Sequence, residues 1–476
     1  MRIDSLRVEN FRCFVKEEWE FAPGFNVFIG DNGAGKTAIL SALAVATGSL
    51  FLGIDGIASR IIQVNDAHCT IFSEGDNLFV EDFYPVSVES ELNIYESGIL
   101  IKREKKKRNG TTTYYGARNI KNVMLYVFNV LKIQSQFELI DNLVSVRGDE
   151  FRKESLSVKE KARSELKSAG IDADLVVYLP LAAAYSAGRA WLKLNKKSQK
   201  LIRPIPRMRG YENCLDAASD DAFLYDWFRT RELAALQKGG VSETMQGVRA
   251  AVVACLGEEW EQIWYEIDLG EIMAKRKDGT QLPVRLLSDG QRSILAMGLD
   301  MAYRAAVLNP QLGGRAAQET PGVVLIDELD LHLHPNWQRT IVPNLRRAFP
   351  KVQFFVTTHS PIILQGLDPK LDRVIRLNAP GPSTYPPVED FIDKPLEDIL
   401  MDVQDYPAFK LSERRQKMIA AAEKYYTVLK QAEKASDAEL ERLKQEMDTL
   451  ALPFHDDYAY VAFLNMERQA ALGERN

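Results

Sequence analysis

The eight residues GDNGAGKT, Gly30 to Thr37, fill the pattern G-x-x-x-x-G-K-[ST] at every position, and they constrain the fold more than any other stretch. Such a loop works only where an apolar strand enters it and a helix leaves it. Here Gly24–Ile29 reads as the strand and a helix is expected from Ala38. The glycines let backbone N–H groups curl around a β-phosphate. Lys36 reaches the β- and γ-phosphates, and the Thr37 hydroxyl takes Mg²⁺. Asn32, Gly33, Ala34, Gly35 and Ala38 complete the cradle. The run AILSALAVATGSLFLGI (Ala38 to Ile54) approaches membrane-span length, but Ser41, Thr47, Gly48 and Ser49 interrupt it directly after the phosphate loop. It reads as a buried helix, and no membrane is expected among the partners.

Around that loop the pattern is α/β. Arg2–Val8 reads as a strand, and Ala67–Ile101 alternates as the strands of a small sheet. Asn119–Glu271 is mostly helical in pattern, and Leu282–Leu286 returns to strand. The continuous apolar runs VVLID and QFFVTTH flank a helix starting near Pro335. Apolar strands alternating with helices make a largely parallel sheet covered on both faces. NAPGPSTYPP (Asn378 to Pro387) has linker composition, and a charged helical tail follows, with a second tail helix capped by Ser436 and Glu439. The resulting division is an N-terminal ATPase lobe (1–100), a mainly helical insertion with basic segments (101–279), a C-terminal ATPase lobe (280–380) and the helical tail (381–476).

Three further motifs carry chemistry. Val323-Val-Leu-Ile-Asp327-Glu328 is an apolar strand ending in two acids. Asp327 is placed to hold Mg²⁺, and Glu328 to polarise an attacking water as general base. QFFVTTHS puts His359 at the end of another buried strand, where an imidazole can bond a γ-phosphate and register its loss. LSDGQR (Leu287 to Arg292) is both a turn and the mouth of a helix. Helix mouths hold phosphate, yet the chain already has a phosphate loop far upstream.

Phosphate loop, LSDGQ, VVLIDE and TTH follow the order of the ATP-binding-cassette ATPases, and LSDGQ resembles their signature. The resemblance implies that Ser288, Gly290 and Gln291 close over ATP held by a second copy, so that the unit is a head-to-tail homodimer, with higher oligomers also expected. The wide gap from Thr37 to Leu287 excludes a transporter cassette. VENFRCF and DELDLHLHP resemble the RecF-, SMC- and OLD-like branch of AAA-family ATPases. There a basic residue at the place of Arg12 lies near the nucleotide, and the stretch after the catalytic acid faces the other subunit. His332 and His334 would lie in that interface or cap the helix at Pro335. LPLAAAYSAGRAW (Leu179 to Trp191) resembles a segment of bacterial anti-phage ATPases, and the whole chain resembles the ATPase subunit of Septu-type systems, whose partner is an HNH-family nuclease. A glutamine loop is not evident, with Gln63 its weak candidate.

The charge balance shapes what remains. A net charge of -6 argues against a surface broadly basic for nucleic acid and leaves local patches open. KREKKKR (Lys102 to Arg108), followed by Tyr114 and Tyr115, is either a solvated hairpin tip or a contact for DNA phosphate. Lys193, Lys196, Lys197, Lys200, Arg203, Arg207 and Arg209 form a second basic cluster, for nucleic acid or an acidic partner face. Cys13, Cys69, Cys214 and Cys255 form no C-x-x-C pair, which points to a reducing cytoplasm and no zinc site. The opening MRIDSLRVENFRCF lacks the apolar core of a signal peptide. In HDDYAYVAFL, Asp456 or Asp457 reads as a helix cap rather than a metal ligand. A self-contained OLD-type nuclease would need a D-x-D pair beyond Ala379, and the sequence has none there. Two classes remain: a regulatory ATPase subunit of a defence complex, controlling a separate nuclease on DNA, and a RecF-like repair or recombination ATPase. The tail helices carry apolar stripes at Met418, Ala422, Tyr425, Tyr426 and Leu429 and at Leu440, Leu443, Met447 and Leu450. These suit either packing on the ATPase core or docking of a partner.

Overall fold

The computed structural model describes residues 1–116, 178–187, 207–216 and 221–394, except 53–56, 75–76, 95–96, 238, 241, 379–380 and 393, together with single tail positions between 399 and 449. In chain order the strands that matter are β1 (Arg2–Phe11), β2 (Phe14–Glu20), β3 (Phe25–Ile29), β4 (Cys69–Glu74), β5 (Asn77–Asp82), β6 (Val86–Ile94), β7 (Ser97–Lys105), β8 (Thr112–Gly116) and β9 (Leu181–Tyr185). They continue with β10 (Trp260–Glu266), β11 (Glu271–Arg276), β12 (Gln281–Pro283), β13 (Gly322–Ile326), β14 (Val352–Thr357) and β15 (Arg373–Arg376). The longer helices are α1 (Lys36–Thr47), α2 (Asp221–Gln237), α3 (Glu243–Leu256), α4 (Asp289–Leu308) and α5 (Pro335–Ala348).

Two sheets define the architecture. The first is parallel, in the order β15-β3-β14-β13-β9. Every residue of β3, β13 and β14 is buried, which is why these strands read as unbroken apolar runs rather than as alternating ones. The second is antiparallel, in the order β2-β1-β6-β7-β8. Helix α1 belongs to the core they share. Ile39 and Leu43 of α1 lie in one apolar cluster with Leu6, Val8, Val88 and Ile101 of the antiparallel sheet and Val323, Leu325 and Phe355 of the parallel one. Ten α1 residues are buried, so its apolar length reflects cover on several sides by protein. Among the described residues no helix is long and apolar enough to cross a membrane.

The parallel order has a consequence for chemistry. Strands β3, β14 and β13 are adjacent and point the same way, so the loops leaving them emerge at one edge of the sheet. Ligand sites of open parallel sheets lie at that carboxyl edge. The phosphate loop, Asp327-Glu328 and Thr358-His359 all follow these strands directly.

Several sequence expectations change. The segment 119–271 contains strands among its described residues: β9 joins the parallel sheet beside β13, and β10 and β11 form a small sheet with β12. The strand expected over Leu282–Leu286 stops at Pro283, whose ring nitrogen has no proton for the ladder, and Val284–Leu286 is a single 3₁₀ turn. The strands of Ala67–Ile101 divide between two sheets, β4 and β5 pairing only with each other. By internal contacts the chain separates into Met1–Leu396 and Glu397–Asn476. The described positions of the second unit, among them Lys417, Lys424 and Arg442, are helical. The apolar tail stripes, Ser436, Asp456 and Asp457 lie outside the described residues, as do Lys193, Lys196, Lys197, Lys200 and Arg203.

Phe355 sits at the centre of the core with no exposed surface, its ring 4.8 Å from Phe21 in an edge contact and 6.5 Å from Phe28. Phe355→Ala should cost about 3–5 kcal/mol in chemical denaturation, the usual range for a large aromatic lost from a packed interior. A loss below about 1 kcal/mol would contradict this placement of the core.

Candidate nucleotide site

The phosphate loop is shaped by glycines that no other residue replaces without strain. Gly33 and Gly35 have φ of 87° and 99°, in the left-handed region. A Cβ on Gly35 would come within 2.6 Å of Cys13 Sγ and of the Phe14 ring, so the chain after β1 presses directly on the loop. Gly35 also starts α1 without a side-chain cap, and the first turn carries no acid. The mouth of α1 therefore keeps the positive end of its dipole and its amides for an anion. Lys36 folds back over the loop, donating from Nζ to Gly30 O at 2.7 Å and Asp31 O at 2.9 Å. Burial pushes the Lys36 pKa down, while Asp31, Asp327, Glu328 and Asp330 oppose that shift. The ammonium is thus a partly desolvated cation facing several carboxylates.

Those carboxylates come from the next strands of the sheet. Asp327, 9% exposed, accepts from the Thr37 hydroxyl at 3.0 Å and from the Thr357 hydroxyl at 2.6 Å. Its amide donates to Tyr185 O at 2.8 Å, so β9 also holds the end of β13. The Thr357 hydroxyl additionally accepts from the Glu328 amide at 2.7 Å. That bond fixes a strained residue, since Glu328 has φ of 50°. Asp330 then accepts from the Thr358 hydroxyl at 2.6 Å and from the His359 amide at 3.3 Å. The ends of β13 and β14 are thereby stitched together with Glu328 and His359 between them.

The sequence-read residues fall into two groups. Lys36, Thr37, Asp327, Glu328 and His359 converge at the carboxyl edge of the parallel sheet. Ser288, Gly290 and Gln291 instead begin α4, where Ser288 accepts from the Gln291 amide and the Gln291 side chain accepts from the Ser288 amide at 3.1 Å. This capping box accounts for the turn-like look of LSDGQR. A Cβ on Gly290 would meet His332 O at 2.4 Å, so the signature packs on the stretch after Glu328. Ser288, Gly290, Gln291, His332 and His334 line one surface cleft of ≈ 610 Å³. His334 caps α5 by accepting from the Asn336 amide at 3.3 Å, and His332 adopts φ of 62°. Arg12, with φ of 52°, directly precedes the Cys13 and Phe14 that touch the loop. It pairs with the fully buried Asp66 at 2.9 Å. The Gln63 amide donates to the same carboxylate at 2.9 Å. On the β7–β8 hairpin, Lys102 and Lys106 pair with Glu104, and Arg108 pairs with Asp82.

Sequence reasoning missed Thr357, Tyr185 and Asp66. Thr357 had one available signal, a hydroxyl one residue before the Thr358-His359 pair at the end of a buried strand. Tyr185 and Asp66 act through partners far along the chain and left none.

The donor set suits a hard cation bound with a nucleotide. One buried carboxylate beside one hydroxyl leaves the remaining positions of an octahedral ion for phosphate oxygens and water, as Mg²⁺ accepts. Among the described residues no group of three or more His, Cys, Asp or Glu side chains could hold a metal unaided.

Thr357→Val, which keeps the shape and removes the hydroxyl, should lower stability by about 1–3 kcal/mol, because the Asp327 carboxylate and the Glu328 amide lose a shared partner. Denaturant unfolding of the two chains checks this, and equal midpoints would contradict it.

Comparison with known proteins gives the family. A family model described as the AAA ATPase domain matches residues 1–364. The Retron Vc95 probable ATPase of Vibrio cholerae is 46% identical over 92 residues, covering 18% of this chain and 17% of that protein. The Septu protein PtuA of Bacillus mycoides is 46% identical over 81 residues, covering 17% of this chain and 11% of that one. The matches thus span less than a fifth of these curated relatives. Among solved structures, the SMC head domain from Thermotoga maritima aligns over 81% of this chain and 99% of that one, at 15% identity and a TM-score of 0.39. The chain belongs to the AAA ATPase domain family and is related through its matched stretches to retron and Septu ATPases.

Proposed function

We propose that the chain is a Mg²⁺-dependent ATPase, the regulatory subunit of an anti-phage defence complex, in which the nucleotide state of a head-to-tail dimer controls a separate HNH-type nuclease acting on DNA. The observation that carries the ATPase part is the contact of Thr37 and Asp327, at 3.0 Å, beneath Lys36 and beside Glu328. The α1 amides of Lys36, Thr37 and Ala38, with Asn32, Gly33, Ala34 and Gly35, cradle the β-phosphate of ATP. Lys36 leaves the loop carbonyls for the β- and γ-oxygens. Thr37 and Asp327 hold Mg²⁺, which supplies positive charge to the phosphate oxygens. Glu328 accepts a proton from the attacking water, and His359 donates to the γ-phosphate, its backbone fixed by Asp330. Arg12 stands at the edge of the same loop and contributes positive charge there.

The cleft shared by the signature and His332 supports the dimer reading. Ser288, Gly290 and Gln291 close over the nucleotide of the other copy, and His332 and His334 meet its surface. The defence assignment draws on the relatedness to retron and Septu ATPases. A RecF-like role in repair is the second reading, favoured by 37% identity over 75 residues to RecF of Haemophilus influenzae, 16% of this chain and 20% of that one. Copurification with the products of neighbouring genes separates the two. A nuclease in the complex supports defence, and replication-fork proteins support repair.

Lys36→Ala should abolish ATP binding, since the phosphates lose their fixed cation. Titration calorimetry with ATP and Mg²⁺ giving wild-type affinity would remove the assignment. Glu328→Gln should retain binding, slow hydrolysis about 10²–10⁴-fold and accumulate the ATP-held dimer on a sizing column. Normal turnover by this variant would show that Glu328 is not the base.

A further inference from the structure

A line of buried polar contacts leaves the nucleotide site through β9. Tyr185 ends that strand. Its carbonyl accepts from the Asp327 amide at 2.8 Å, and its hydroxyl donates to Asp300 Oδ2 at 2.7 Å. Asp300 lies on α4, the helix that the signature opens, about 18 Å along it from Ser288. The same carboxylate oxygen accepts from Arg304 Nε at 2.9 Å, and Arg304 Nη1 donates to Gly210 O at 2.8 Å and Glu212 O at 3.0 Å. Tyr185, Asp300 and Arg304 are 8%, 4% and 7% exposed.

A charged pair at this depth is a poor way to gain stability, because desolvating both ions consumes most of their attraction, and apolar side chains of equal volume do as well. Its attested use is to fix one arrangement among several. Here it fixes three things to one another: the strand carrying Asp327, the helix carrying Ser288, and the segment 207–216. Burial, with Asp300 adding to it, pushes the Tyr185 pKa well up, so the hydroxyl stays a donor. Burial works against the Arg304 charge, but Asp300, Cys214 and Tyr185 together more than offset it, and the guanidinium stays charged. Tyr185 thus touches Asp327 through its backbone and α4 through its side chain.

We propose that Tyr185, Asp300 and Arg304 are positioning residues that transmit the state of the Asp327 strand to the signature helix and to the segment 207–216. The proposal rests on the ATPase reading above. None of the three touches the nucleotide, and their effect is on how binding at the phosphate loop sets the orientation of α4.

Hydrogen–deuterium exchange of the full chain, with and without ATP and Mg²⁺, tests it on the wild type and on Tyr185→Phe, which removes only the hydroxyl and leaves the Asp300–Arg304 pair intact. In the wild type, ATP should slow exchange at residues 30–38, at the start of α4 and at 207–216. In Y185F the protection at 30–38 should remain with ATP affinity unchanged, while the ATP-induced protection of α4 and 207–216 falls by about tenfold, the worth of one hydrogen bond to a carboxylate. A hydroxyl that merely stabilised the fold would raise exchange equally with and without ATP. That result, or full ATP-induced protection of α4 in Y185F, overturns the relay. Wild-type protection at 30–38 without any at α4 also overturns it and leaves the ATPase reading standing. No protection at 30–38 in the wild type removes the ATPase reading and the relay together. Asp300→Asn is the second variant. If folded, it should lose the same protection, and retention of it would count against the relay.

Discussion

Asp327 gives up its hydration where β13 ends, and the replacement of that water by the hydroxyls of Thr37 and Thr357 is the interaction on which the site depends. A carboxylate so deep is tolerable only when hydrogen-bonded. The hydroxyls that satisfy it come from two different places, the start of α1 and the end of β14, while the carbonyl of Tyr185 on β9 accepts from the Asp327 backbone amide. Satisfying one charge thus brings the phosphate loop, Glu328 and His359 to the same edge of the sheet. The strain at Glu328 is held by the same Thr357 hydroxyl, so Glu328, the proposed general base, is aimed by the network that keeps Asp327 buried.

The sheet order makes this economical. With β3, β14 and β13 adjacent and parallel, three consecutive loop mouths face one ligand, and α1 is free to be covered by the antiparallel sheet on its other side. The signature lies on a second surface, packed on the turn after Glu328 through the Gly290–His332 contact. One chain therefore presents a phosphate cradle and a signature cleft as separate features. This suits the head-to-tail dimer proposed above, in which each cradle would be closed by the other copy.

Much of the site was legible because its signals are local. GDNGAGKT, VVLIDE and QFFVTTH each combine a fully buried strand with polar residues at its end, and a strand without a polar face leaves a continuous apolar run in the sequence. LSDGQR was legible as a helix mouth because it directly precedes the apolar helical run ILAMGLDMAYRAAVL. The strand Leu181–Tyr185 was not. Its three alanines favour helix, and what makes it a strand is pairing with β13, far along the chain. Tyr185 and Asp66 were invisible for the same reason, since their roles lie in contacts across the fold. Pro283 shows the opposite case, a local rule that ends a strand which the apolar pattern alone extended too far.

The most direct measurement mixes two defective chains. Lys36→Ala breaks the phosphate cradle, and Ser288→Arg blocks the signature, so neither chain alone should hydrolyse ATP. Combined in equal amounts, they form mixed dimers in which the cradle of the Ser288→Arg chain meets the intact signature of the Lys36→Ala chain. The account predicts that hydrolysis returns on mixing. A mixture that stays inactive, while both chains fold and coelute as dimers, would contradict a nucleotide site built from two copies.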